Sequence, residues 1–223
     1  MRSWGNRPDT FVCDEPLYAH YLQATGADHP GREEVIAAHE SDWRKVAAWL
    51  TGPTPEGKRI FYQKHMTHHL LPGIDRGWME ALTHVFLIRH PREVIVSYLR
   101  KNPHMEINDT GLPQQAALFD WVRQRRGRTP PVVDAADILA DPRRTLTQLC
   151  AAVGVPFLDA MLAWPPGSRT TDGVWAKYWY AEVERSTGFS PRATRDDPVP
   201  PGFEPLLADC LALYQHLHPH RLR

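Results

Sequence analysis

No run of apolar residues in this 223-residue chain approaches the roughly 20 that a membrane-spanning helix needs. Its first residues, Met1-Arg2-Ser3-Trp4-Gly5-Asn6, also lack the apolar core of a secretory signal. Cysteine is scarce: Cys13, Cys150 and Cys210 are odd in number, far apart and without a C-x-x-C pair. That pattern argues against a disulfide framework or a zinc site and predicts reduced thiols in a cytoplasmic protein. Net charge is also absent, since 26 Lys and Arg balance 26 Asp and Glu. A broad nucleic-acid or acidic-membrane surface is thereby disfavoured, although a local basic pocket is not. No internal repeat or low-complexity tract occurs. Nor does any G-x-x-x-x-G-K-[ST] or P-[KR]-[ST]-G-[ST] run, so the sequence shows no glycine- or serine-bearing loop of the kind whose backbone N–H groups cradle a phosphate.

What is present has the balance of a soluble globular protein, 42% hydrophobic and 23% charged. The length suits one domain with a full core and is short for two. The chain is organised around T-H-V-F-L-I-R-H-P-R-E-V-I-V-S-Y-L-R-K, residues 83–101. His84 to Ile88 predicts a short strand buried on both faces of a parallel sheet. Pro91 suits the first position of a helix in which Val94, Ile95, Tyr98 and Leu99 recur at helical spacing. Arg89 then leaves the carboxyl end of the strand, where open α/β sheets bind ligands, and Ser97 lies two turns into the helix. A guanidinium fork and a hydroxyl make a grip for a phosphate dianion.

R-H-P-R-E-V-I-V-S resembles the 3′-phosphate-binding segment of the sulfotransferases that use 3′-phosphoadenosine 5′-phosphosulfate (PAPS), R-[DN]-P-[RK]-[DE]-V-x-x-S between a strand and a helix. Arg89 and Ser97 fall on that family's two phosphate ligands. Further along, residues 131–142 resemble the family's fourth strand and its D-P helix start, with Ala136 where Tyr or Glu is common. Gly154-Val155-Pro156-Phe157 matches the family's stop after that helix. The resemblance implies an α/β domain of the P-loop nucleotide-hydrolase kind spanning residues 1–223, a mostly parallel sheet with helices on both faces. It also implies that the strand Thr10-Phe11-Val12-Cys13 is the family's second. On that reading either the sequence begins late, at an internal Met, or the chain is a remnant without the first strand and 5′-phosphosulfate loop, whose absence would expose strand edges beside Val85.

Three residues are candidates for the chemistry. Glu15, in Asp14-Glu15-Pro16, sits near the place where several branches of the family keep a carboxylate as general base; alternatively, Asp14 or Glu15 caps the helix expected over 17–23. His65, in the stretch from Lys64 to Leu70-Leu71-Pro72, falls on the histidine that serves as base in the cytosolic members, and a neutral imidazole suits that task near pH 7. The family's lysine position falls on Gln63, with Lys64 one residue later. A metal reading of His65, His68 and His69 lacks a third ligand at any recognised spacing, so no metal is expected. Other expected elements are a strand over 59–63, helices over 33–50, 75–82, 112–126, 142–153 and 203–217, and a Pro-rich flap or linker over 192–202. The aromatic cluster Trp175 to Tyr180 is open to two readings, a lining for adenine or acceptor and simple packing.

The resemblance implies transfer of a sulfuryl group from PAPS to a hydroxyl or amine of a small molecule, with Arg89 and Ser97 on the donor and His65, Glu15 and Lys64 at the reacting end. Neither nucleic acid nor membrane is an expected partner, and the missing loop predicts poor activity for this form. The rival readings are a non-catalytic nucleotide- or partner-binding relic and a kinase-like phosphotransferase on the same fold.

Overall fold

A computed structural model of the chain describes residues 1–100, 102–190 and 197–223. The chain forms two compact units, Met1–Leu82 with Leu158–Gly188 and Thr83–Phe157 with Phe189–Arg223. Part of the expected 192–202 flap, residues 192–196, lies outside the described residues. Among the described residues, no helix is long and apolar enough to cross a membrane.

The first unit opens with α1 (Arg2–Gly5), β1 (Thr10–Asp14), α2 (Tyr18–Thr25), α3 (Arg32–Ala38), α4 (Trp43–Leu50) and β2 (Ile60–Lys64). The strands β1 and β2 pair in parallel, with Thr10 opposite Ile60 and Asp14 opposite Lys64. Expected as one helix, residues 33–50 form two. Ala38 ends α3, His39 is extended, and the Asp42 carboxylate accepts a 2.9 Å hydrogen bond from Arg44 N to start α4. The capping residue inside the apolar pattern was the signal, because a short acid competes for backbone N–H groups and favours a helix start. The helix expected over 75–82 is only a 3₁₀ turn, Gly77–Ala81. One apolar cluster gathers Tyr18, Ala19, Leu22 and Val35 with Trp175 and Tyr180; another gathers Cys13, Leu17, Val46, Leu50 and Ile74. Leu22 and Leu50 are essentially without solvent contact, each worth about 2 kcal/mol of burial. A bidentate Arg2–Asp172 pair, both bonds 2.8 Å and both side chains buried, ties α1 to the loop before Trp175.

The second unit contains β3 (Phe86–Ile88), α5 (Pro91–Leu99), α6 (Leu112–Arg126), β4 (Val132–Asp134), α7 (Ala135–Ala140), α8 (Pro142–Ala152) and the closing helix α9 (Glu204–Leu217). Here β3 and β4 pair in parallel, Phe86 opposite Val132 and Ile88 opposite Asp134. The described strands thus pair as two two-stranded sheets. Pro91 takes the first turn of α5, and the Asp141 carboxylate caps α8 through Arg144 N at 3.0 Å, as the D-P dipeptide predicts. Asp134 does the same for α7, bonding Ala136 N at 2.7 Å. Burial of β3 on both faces is not what the structure shows. Phe86 and Ile88 are buried, whereas Leu87 is 59% exposed and Val85 41%. The strand therefore alternates, with one face packed and one open, as strands do when a single layer covers them.

Candidate active site

The carboxyl ends of β1 and β2 build a charged cluster. Their parallel register sets Asp14 beside Lys64, and side chains at matched positions project to the same face. Gln63, one residue earlier, points the other way and donates to the Leu50 carbonyl at 2.8 Å. Through the alternation of the strand, Lys64 and not Gln63 reaches the carboxylates. Its ammonium contacts the Glu15 carboxylate directly, lies 3.3 Å from Asp14 Oδ1 and donates to the Tyr180 hydroxyl at 3.1 Å. The Tyr180 hydroxyl in turn donates to Asp14 Oδ2 at 2.6 Å.

Glu15 does not cap the following helix. The N-cap of α2 is Leu17, with no side-chain bond, and Asp14 and Glu15 turn toward Lys64 instead. The backbone of Glu15 is left-handed, φ 43°, which a non-glycine residue rarely adopts. Glu15 N donates to the Lys64 carbonyl at 2.8 Å, and Glu15 O accepts from Tyr18 N at 3.0 Å. The strained turn is thus held from both sides and carries its carboxylate back over the sheet edge.

The electrostatics follow from burial. Desolvation raises the Glu15 pKa, helped by the Asp14 charge and opposed by Lys64. Burial works against the Lys64 ammonium too, but the Glu15 and Asp14 carboxylates more than reverse it, so Lys64 stays protonated. His69, 2% exposed, is stacked between Tyr18 and Tyr21 with both ring centroids 4.7 Å away. Its Nδ1 lies 4.0 Å from Glu15 Oε2. Burial, then the nearby His68 and Lys64, lowers its pKa well below the usual value. The imidazole is therefore neutral, and its approach to Glu15 is not an ion pair.

His65 lies one residue past β2 on the exposed side. Its Nε2 shares a 3.3 Å hydrogen bond with Gln63 Oε1, and its ring is 6.3 Å from that of Trp78. Among the described residues, no group of three or more His, Cys, Asp or Glu side chains is arranged to hold a metal ion.

In the second unit, Arg89 follows β3 directly, and its guanidinium is 37% exposed. Its Nε donates to Glu93 Oε2, one turn into α5, at 2.8 Å. Ser97 is exposed farther along the same helix. The Nε–Glu93 bond is an i, i+4 ion pair that ties the guanidinium to the first turn of α5. The strand-end carboxylate of β4, Asp134, is buried and accepts from Tyr214 of α9.

Sequence reasoning selected Glu15, Lys64 and His65, and the structure joins the first two. It offered Asp14 only as a helix cap, His69 only in a metal reading and Tyr180 only within the aromatic cluster Trp175 to Tyr180. Asp14 was readable in principle, since it shares the strand-end register with Lys64. Tyr180 was not, because it arrives from 116 residues beyond Lys64.

A family model described as "Sulfotransferase domain" matches residues 1–220. Two curated Arabidopsis thaliana proteins, named branched-chain-amino-acid aminotransferase-like protein 2 and protein 1, are 34% and 36% identical over 220 residues. Those matches take in 99% of this chain but 39% of each relative, so the chain spans about two fifths of the length of the curated proteins it resembles. Among solved structures, a sulfotransferase domain from the olefin synthase of Synechococcus PCC 7002 aligns with a TM-score of 0.51 at 18% identity, over 97% of this chain and 96% of that one. That likeness extends to the fold.

Proposed function

Because this chain belongs to the sulfotransferase family, we propose that it moves a sulfuryl group from PAPS to a hydroxyl or amine of a small-molecule acceptor. The observation that carries the reading is the Lys64 ammonium held between Glu15 and Asp14 at the carboxyl ends of two parallel strands. The donor supplies an activated sulfuryl group, and what remains for the protein is positioning, proton removal and charge stabilisation.

Glu15 acts as the base. Its raised pKa makes it a stronger proton acceptor than an exposed glutamate. As the acceptor oxygen bonds to sulfur, its proton passes to a Glu15 carboxylate oxygen, and the bond from sulfur to the 5′-phosphate oxygen breaks. Lys64 keeps a full positive charge to set against the negative charge that develops on that oxygen. Arg89 and Ser97 hold the 3′-phosphate: the outer guanidinium nitrogens match two phosphate oxygens and the serine hydroxyl a third. His65, exposed at the end of β2, is the alternative base.

The test is release of 3′-phosphoadenosine 5′-phosphate from PAPS across a panel of alcohols and amines, by the wild type and by Glu15→Gln and His65→Ala. Loss of turnover in Glu15→Gln alone assigns the base to Glu15; loss in His65→Ala alone moves it to His65. Thermal shifts with 3′-phosphoadenosine 5′-phosphate, AMP and ATP with magnesium run beside it, because a ligand that binds the folded state raises its stability. A protein stabilised by ATP with magnesium and not by the 3′-phosphorylated nucleotide sinks the reading.

A further inference from the structure

The Tyr180 hydroxyl joins the Lys64 ammonium to the Asp14 carboxylate, accepting from Nζ at 3.1 Å and donating to Oδ2 at 2.6 Å. It is 8% exposed and comes from the turn after Ala176–Trp179, far from β1 and β2 in sequence. Its ring also lies under the ammonium, with Nζ 5.6 Å from the centroid.

In the resting protein two carboxylates share the Lys64 charge. When Glu15 takes up the acceptor proton, one of them becomes neutral. The ammonium then loses its closest counter-charge at the moment when its field is needed on the departing oxygen. A long lysine side chain that loses a partner gains rotamer freedom and drifts. The remaining anchors are Asp14 and the phenol.

We propose that Tyr180 is a positioning residue for the transfer reaction: fixed by Asp14, its hydroxyl keeps Lys64 in place while Glu15 is protonated. The inference rests on the sulfuryl-transfer reading. Other titratable groups near this cluster are the Met1 amino group, Cys13, Tyr18, His39, Tyr62 and His69, and each is coupled electrostatically to Asp14, Glu15 or Lys64, or lies against Glu15. The phenol is distinguished from them by its direct bond to Nζ.

Tyr180→Phe keeps the ring and removes the hydroxyl. Two measurements separate this proposal from the reading beneath it. One is site-resolved reductive methylation of Lys64, followed by mass spectrometry, with the exposed Lys45 and Lys177 as internal controls. It needs no turnover. Loss of one hydrogen bond to a charged group should raise Lys64 labelling roughly tenfold and leave the two controls unchanged. The other is PAPS turnover, where kcat should fall about tenfold and KM for PAPS should stay within about twofold, because the lost interaction acts in the transition state.

Unchanged Lys64 labelling overturns the proposal, and so does raised labelling with unchanged kcat. Raised labelling in a protein whose wild type transfers no sulfuryl group upholds the tether and sinks the functional reading. Should Tyr180→Phe fail to fold, Tyr180→Met asks the same question, since it removes the hydroxyl and leaves both carboxylates beside Lys64; faster Lys64 labelling is again expected, and unchanged labelling again overturns the proposal.

Discussion

Replacing Lys64 by Met removes the cation held between the Asp14 and Glu15 carboxylates while keeping an unbranched side chain of similar length. The Asp14 side chain is 1% exposed, that of Glu15 12% and that of Lys64 28%, so little water can take over the ammonium's role. Breaking a buried ion pair from one side costs about 3–5 kcal/mol, because the abandoned charge stays desolvated. Here Tyr180 still donates to Asp14, which places the expected loss near the lower end, about 3 kcal/mol. At this chain length that is a fall in melting temperature of roughly 6–12 °C.

The pH dependence gives a sharper test. Without the ammonium, the two carboxylates repel and at least one has a folded-state pKa raised above its unfolded value. The folded state then binds more protons than the unfolded state between those two values, so the variant loses stability as pH rises through that window. Lys64→Met should therefore be nearer to wild type at pH 5 than at pH 7. Adding Glu15→Gln should recover about 1–2 kcal/mol through coupling between the two sites. Urea denaturation of the three proteins at both pH values reads all of this. A Lys64→Met loss below about 0.5 kcal/mol, or one equal at pH 5 and pH 7, refutes the claim that the two carboxylates depend on this cation.

Arg89→Ala should weaken binding of 3′-phosphoadenosine 5′-phosphate by about 10–100-fold and leave AMP unaffected, since charge-assisted bonds to the 3′-phosphate are what it removes; calorimetry with both nucleotides decides, and equal losses would refute the assignment. Glu15→Gln should lower turnover by about a hundredfold or more without weakening nucleotide binding, and the wild-type rate should rise with pH through a pKa above that of an ordinary glutamate. His84, whose ring nitrogens are both buried without a hydrogen-bond partner among the described residues, has its pKa lowered from 6.5 to about 4 by burial and then by Arg126. Its neutral form is the one the fold accepts, so stability should be lost as pH falls below 6.5, by about 1–2 kcal/mol at pH 5 after allowing for partial exposure. His84→Gln should flatten that slope in urea denaturation between pH 7 and pH 5.

Local signals in the sequence marked the elements well where a residue type forces the backbone. Pro91 and Asp141-Pro142 set helix starts where they were expected, and residues 112–126 form one helix between two glycines in left-handed conformation, Gly111 and Gly127. Legibility failed where tertiary cover decides. Val85 and Leu87 read as members of a doubly buried strand because composition records hydrophobicity, not whether a second layer lies above it. Residues 33–50 read as one helix because the apolar spacing of α3 and α4 continues in phase across Ser41 and Asp42, hiding a cap inside one period.

The candidate site was legible in proportion to how local its parts are. Glu15 and Lys64 each follow from a strand-end position, whereas their meeting depends on the parallel pairing of β1 with β2, and Tyr180 depends on a chain return that no spacing announces. The same place concentrates departures from local preference. Glu15 holds a left-handed backbone that costs roughly 1–3 kcal/mol, two carboxylates lie within reach of one ammonium, and a neutral histidine is kept against an acid. None of these improves stability by itself: a glycine would relax the turn, and an apolar pair would avoid desolvating charge. Groups that are costly to fold yet held by specific partners on several sides are expected where geometry serves chemistry. On that ground the carboxyl edge of β1 and β2 is set apart from the capping acids Asp42, Asp134 and Asp141, whose carboxylates each satisfy a helix start.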